Sequence, residues 1–153
     1  MRLTRSAALC LILVPLEGGC VGTRVGDTAT TVTGGRTPGA TLSLGGQDYV
    51  LAVCRSGDRE YFLGVDLADR EGQAAVRVFI DPMDGPRLRV VLDGKGSPKS
   101  MSLGPSSCRR LEARIEPTGW RVNRVRDFSG YLEADCTGEG LEVVAHVRFA
   151  HCH

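Results

Sequence analysis

Near its C-terminal end the chain reads Leu141, Val143, Ala145, Val147, Phe149, each separated by one other residue: Glu142, Val144, His146, Arg148. Successive side chains of a strand point to opposite faces, so this period of two describes a strand with one buried face. The same pattern recurs where Leu111, Ala113 and Ile115 alternate with Arg110, Glu112, Arg114 and Glu116, and where Leu88, Val90 and Leu92 alternate with Arg87, Arg89 and Val91. Cys108–Glu116 also sets Cys108, Leu111 and Ile115 on a helical stripe, but its unbroken alternation and strand neighbours favour a strand.

Turn chemistry divides these runs. Asp84-Gly85 separates Val76–Asp81 from Arg87–Leu92 and predicts a hairpin, and Asp93-Gly94 closes the next strand. Gly45-Gly46, Ser56-Gly57-Asp58, Thr118-Gly119 and Thr137-Gly138-Glu139-Gly140 mark further turns. Some eight short strands at regular spacing specify an all-β fold, an antiparallel β-sandwich or partly open barrel.

The N-terminal end differs. Arg2 and Arg5 precede an apolar run, Ala7 to Leu16, and Gly18-Gly19-Cys20 follows. The run is shorter than the ~20 residues that span a bilayer. Residues 1–19 read as a secretory signal, with Cys20 the lipidated first residue of the mature protein. Plain secretion by ordinary signal cleavage, a retained anchor and a misplaced start codon are the alternatives. Residues 20–40 are Gly/Thr-rich with almost no large apolar side chain and read as a lipidated flexible tether; residues 41–153 form the β domain.

Charge narrows the partners. Of 19 basic and 18 acidic residues, Arg2, Arg5 and Glu17 leave with the signal, so the mature chain is balanced. Balance gives no electrostatic reason to expect nucleic acid. The expected partners are the membrane, through the N-terminal lipid, and an unidentified envelope protein or glycan.

Cys10 departs with the signal and Cys20 is taken by the lipid, leaving Cys54, Cys108, Cys136 and Cys152. Four widely spaced cysteines without a C-x-x-C read as two disulfides rather than a zinc site. Phe128–Cys136 and Leu141–Ala150 read as two arms of one hairpin turned at 137–140. Cys136 then lies at the turn and Cys152 at the open end, ~30 Å away along the strand, beyond the ~7 Å Cα separation of a disulfide. Cys136 is therefore expected to join Cys54 or Cys108, and Cys152 the other.

The ending His151-Cys152-His153 invites a metal, yet on a strand the two histidines take one face and the cysteine the other. His146 shares the Cys152 face at ~20 Å. A disulfide-tied terminus with two solvated histidines is the reading, with no metal and no cofactor. Asp66 with Asp69 and Asp81 with Asp84 read as turn residues rather than calcium ligands. No G-x-S-x-G, H-E-x-x-H, P-loop or Rossmann glycine pattern occurs, and no catalytic residue is singled out. Trp120 reads as a core or rim residue. Tyr49, Tyr61, Phe62, Phe79, Phe128, Tyr131 and Phe149 read as core in preference to a sugar-stacking platform.

Gly18-Gly19-Cys20 resembles the lipobox of bacterial lipoproteins, with Glu17 where that motif usually has Leu and Leu16 one position early. Glu116–Cys136 and Phe149–His153 are similar to small exported lipoproteins of Gram-negative soil bacteria, which carry a β domain after a lipobox and have no assigned activity. A looser likeness links the Gly-punctuated strands and terminal cysteine to small mycobacterial surface lipoprotein antigens. The resemblance implies a lipid-anchored envelope protein. Val21 after the cysteine, in place of a retention Asp, implies the outer membrane; a secreted or periplasmic protein is the alternative. The function expected is a non-catalytic binding or scaffolding role. The rival is a carbohydrate-active or other hydrolytic β domain with an acidic site, to be recognised by two close carboxylates beside an exposed aromatic.

Overall fold

A computed structural model describes residues 30–33, 40–94 and 97–153. The alternating segments are strands: β1 (Thr30–Thr33), β2 (Ala40–Leu44), β3 (Gln47–Ser56), β4 (Gly64–Asp69), β5 (Ala74–Asp81), β6 (Gly85–Gly94), β7 (Ser97–Leu103), β8 (Cys108–Val122), β9 (Val125–Gly138) and β10 (Leu141–Cys152). They form one sheet in the order β7-β6-β5-β4-β3-β2-β10-β9-β8, antiparallel throughout that path. Two short 3₁₀ turns, Gly57–Glu60 and Pro105–Ser107, are the helical elements of the described residues. The fold is all-β, as the alternation requires.

The sheet curls so that its inward face closes on itself. Leu42, Leu51, Leu67, Val76, Val78, Leu88, Val90, Phe128, Leu132, Val147 and Phe149 are all buried in a single core. Burial of such side chains stabilises by ~1.5–3 kcal/mol each before entropy is charged against it. The edge strand β7 folds over β9: a Cβ at Gly138 would sit 2.4 Å from Leu103 Cδ2, so glycine is what permits this approach. The other edge strand, β8, covers the core with half-buried Leu111, Ala113 and Ile115 and turns arginines and glutamates outwards. Charged outward side chains suit an edge, because they discourage pairing with a second chain.

Two disulfides fasten this arrangement. Cys54–Cys152 joins β3 to β10 and Cys108–Cys136 joins β8 to β9, with Cα atoms 4.9 and 3.8 Å apart. The β9–β10 hairpin turns at Glu139–Gly140 and brings Cys152 opposite Phe128, which is why Cys136 and Cys152 do not meet.

Several expectations are corrected. Residues 30–33, assigned to the tether, form β1, which runs parallel to β10 from Val147 to Ala150. Ala40, also assigned to the tether, is a fully buried core residue. Thr30, Thr31, Val32 and Thr33 are all β-branched, which suits a strand, and β10 offers an open flank above the point where β2 begins. Thr118-Gly119 is not a turn. Gly119, at φ +87°, sits in a register break between Pro117 and Arg121, and β8 runs on to Val122. The actual turn is Asn123-Arg124, both at positive φ, a two-residue hairpin made without glycine.

Candidate functional site

The strand β3 carries the feature that makes a site. Its register on β4 shifts between Leu51 and Val53, so Leu51 points inwards, and so do Cys54 and Ser56 three and five residues later. The extra residue of a β-bulge reverses the alternation. Val53 and Arg55 are thereby directed to the outer face.

On that face the register aligns side chains across the strands. Arg55 lies opposite Asp66, Asp66 opposite Arg77, and Arg77 opposite Arg89. The neighbouring row is Val53, Ala68, Ala75, Val91. Small side chains beside long ones leave a trough, and these eight residues line an open groove of about 270 Å³.

Arg77 is fixed at its centre. Its Nε and Nη2 donate to Asp66 Oδ1 and Oδ2 at 2.8 and 3.0 Å, and Nη2 also reaches Glu60. Its guanidinium lies 4.3 Å from the centroid of the Phe62 ring. That ring lies against Gly57 and Gly64, where a Cβ would come within 2.5–2.9 Å of it. The hydrogen bond to Asp66, with its charge, raises the Arg77 pKa above the usual arginine value. Arg55 and Arg89 flank this fixed centre, exposed, and neither has a carboxylate partner among the described residues. The row thus presents three guanidinium groups and one strand-borne carboxylate over an apolar floor. A guanidinium fork hydrogen-bonds carboxylate, sulfate or phosphate oxygens in pairs.

Known proteins lend no further guidance. The chain matches no family model, no curated protein and no solved structure.

A second hollow, of about 180 Å³, lies on the outer face of β8–β10 between Glu112, Tyr131, Glu133, Val147 and Arg148. Glu112 and Glu133 stand directly opposite each other, two close carboxylates beside an aromatic ring. Arg110, however, pairs with both, its Nε 3.4 Å from Glu112 Oε1 and its Nη2 on Glu133. Arg110 bridges the pair and offsets one of its two negative charges, which eases the repulsion of like charges directly opposite.

The histidines supply a further correction. His151 and His153 face a buried carboxylate rather than water alone: His151 Nδ1 is 3.2 Å from Asp127 Oδ2, and His153 Nδ1 is 3.6 Å from Asp127 Oδ1. The β10 register breaks between Phe149 and Cys152, His151 adopts φ 55°, and the two rings converge on β9. The Thr118 hydroxyl donates to Asp127 Oδ2 at 2.7 Å and accepts from Trp120 N at 3.4 Å. The cluster ties the end of β10 to the base of the β8–β9 arm. Among the described residues no three His, Cys, Asp or Glu side chains come together as a metal-ligand set.

Of the residues singled out from sequence, Cys54, Cys108, Cys136 and Cys152 are consumed in the disulfides, and Cys20 lies outside the described residues. Asp69 and Asp81 serve turns as expected, accepting from Ala74 N and from Met83 N and Asp84 N. Asp66 instead belongs to the groove. Phe128 and Phe149 are core, whereas Tyr61 is 98% exposed and Trp120 73%.

Proposed function

We propose that this protein is a non-catalytic envelope lipoprotein, held by a lipid on Cys20 at the outer membrane, whose groove binds an anionic polymer. The observation that carries the binding reading is the Arg55–Asp66–Arg77–Arg89 row with two arginines that have no carboxylate partner among the described residues. From Arg55 to Arg89 the row crosses three strand spacings, ~14 Å. That span suits repeated negative charges along a chain, such as an acidic envelope glycan, better than one small anion. The signal-like N-terminus and two disulfides support export, because disulfides persist in oxidising compartments.

The binding half is tested by calorimetric titration of the protein with dextran sulfate and with oligogalacturonate, neutral dextran serving as control. Binding to the charged chains that weakens as salt rises is expected. Equal heats with neutral dextran, or none with either acidic chain, would overturn it. The anchoring half is tested by metabolic labelling with a clickable fatty acid: wild type is labelled and Cys20→Ser is not. Label retained in Cys20→Ser contradicts the anchor.

A further inference from the structure

Among the described residues the exposed large hydrophobic side chains are Val50, Tyr61, Leu63, Met83, Trp120 and Val122. All but Val50 occupy one end of the sheet. Tyr61 and Leu63 lie between β3 and β4, Met83 lies in the β5–β6 turn, and Trp120 and Val122 lie on the β8–β9 arm. These segments are neighbours. Arg126 N donates to Asp58 Oδ2 at 3.0 Å, joining the arm to the 3₁₀ turn, and Ile80 N donates to Leu63 O at 3.3 Å, joining that loop to β5. The turns at the other end, 45–46, 70–73 and 139–140, contain no large apolar residue.

The apolar tips are exposed to different degrees, Met83 at 93% and Leu63 at 50%, and they stand among charges. The acidic groups at this end are engaged: Asp58 with Arg126, Glu60 with Arg77, Asp81 and Asp84 with Arg87, and Asp127 with the histidines. Arg59, Arg121 and Arg124 are exposed without a carboxylate partner among the described residues. The uncompensated charge of this end is positive.

We infer that this end docks on an anionic lipid bilayer, with Trp120, Tyr61 and Met83 entering the headgroup–acyl boundary and Arg59, Arg121 and Arg124 meeting the headgroups. Trp and Tyr are amphipathic rings suited to that boundary, and arginine reaches up to phosphates while its methylenes stay in apolar surroundings. Unpaired arginines supply the attraction to an anionic surface. Thr118, bonded to buried Asp127, also accepts the Trp120 backbone N–H and so ties the backbone at Trp120 to β9. Docking of this kind needs no acyl chain on Cys20.

Trp120 is the single tryptophan of the chain, so its fluorescence reports this end alone. The full chain carrying Cys20→Ser is mixed with vesicles of phosphatidylglycerol and phosphatidylcholine, or of phosphatidylcholine only. A blue shift of Trp120 emission and quenching by brominated acyl chains are expected on the anionic vesicles. Arg121→Glu/Arg124→Glu is expected to weaken partitioning at least ~10-fold, while Arg70→Glu at the opposite end leaves it unchanged. A chain that floats with the vesicles while its Trp120 emission stays that of a water-exposed indole would overturn the inference, because only another segment would then be inserted. So would an equal shift on neutral vesicles. A Trp120 shift that appears only when envelope membrane proteins are incorporated would assign the end to a protein partner and overturn the lipid reading.

Discussion

The outer faces of β3–β6 and of β8–β10 are built from the same residue types and differ in which arginines they pair: among the described residues the first three arginines of β8 are paired, Arg148 on β10 is not, and on β3–β6 only the central arginine of the row is. On β8–β10, Arg109 meets Asp135 and Glu142, Arg110 meets Glu112 and Glu133, and Arg114 meets Glu116. On β3–β6, Asp66 and Glu60 are both drawn to Arg77, which leaves Arg55 and Arg89 without a carboxylate among the described residues. The chain carries 19 basic and 18 acidic residues, so the difference lies in placement. Surface ion pairs contribute little to stability, ~0–1 kcal/mol. A face that leaves arginines unpaired therefore gives up little in folding, which suits the recognition proposed for it. The lesson is that net charge describes the solution behaviour of this chain, while strand register decides which arginines of a face are paired and which are not.

The disulfides give the largest lever on this comparison, because one joins its two sides and the other lies within one of them. Cys54–Cys152 ties groove strand β3 to β10 across 98 residues, and Cys108–Cys136 lies within the β8–β9 pair across 28. Loop-closure entropy predicts losses of about 4–5 kcal/mol for Cys54→Ala/Cys152→Ala and about 3–4 kcal/mol for Cys108→Ala/Cys136→Ala. Urea unfolding midpoints under non-reducing conditions check this; a larger loss from the shorter loop breaks the ordering. Next come the central arginines. Arg77→Ala strands half-buried Asp66 and is expected to cost about 1–2 kcal/mol. Arg110→Ala releases more exposed partners and is expected to cost about 0.5 kcal/mol. Equal losses would mean that Arg77 is no better fixed than a surface residue.

The smallest effect concerns the rim of the groove face. Backbone N–H bonds from Met83 and Asp84 hold the Asp81 carboxyl below its usual pKa. A carboxyl depressed in the folded state adds stability above its unfolded pKa and loses it as pH falls through the folded value. The gap in urea midpoint between wild type and Asp81→Asn should therefore be present at neutral pH and close in acid below the ordinary carboxylate range. A gap that widens in acid would show the sign to be wrong.

The strands and the pairing rule for Cys136 were legible because both rest on local pattern: alternation in β6, β8 and β10, and a glycine turn between β9 and β10. The bulge at Leu51–Val53 was not, since Leu51, Val53 and Cys54 are all compatible with either face until β4 fixes the register. The groove depends on that bulge and on four strands in register, so no local window contains it. Alternation alone sets His151 and His153 on one face of a strand, but β10 ends at Cys152, and the register break before it and the distant Asp127 decide what the two rings meet. Thr118-Gly119 carried turn chemistry that the fold uses as a register break in a continuing strand. Asn123-Arg124, the real turn, lacks the glycine that would have announced it.

The central claim is that register, not charge total, assigns recognition to the β3–β6 face. Two variants with identical net charge test it: Arg55→Ser/Arg89→Ser on the groove face and Arg109→Ser/Arg114→Ser on the opposite face, each titrated with dextran sulfate at fixed ionic strength beside wild type. The account predicts at least ~10-fold weaker binding for the groove variant, as befits the loss of two charge-assisted contacts, and near-wild-type affinity for the other. Equal weakening of the two variants would contradict it.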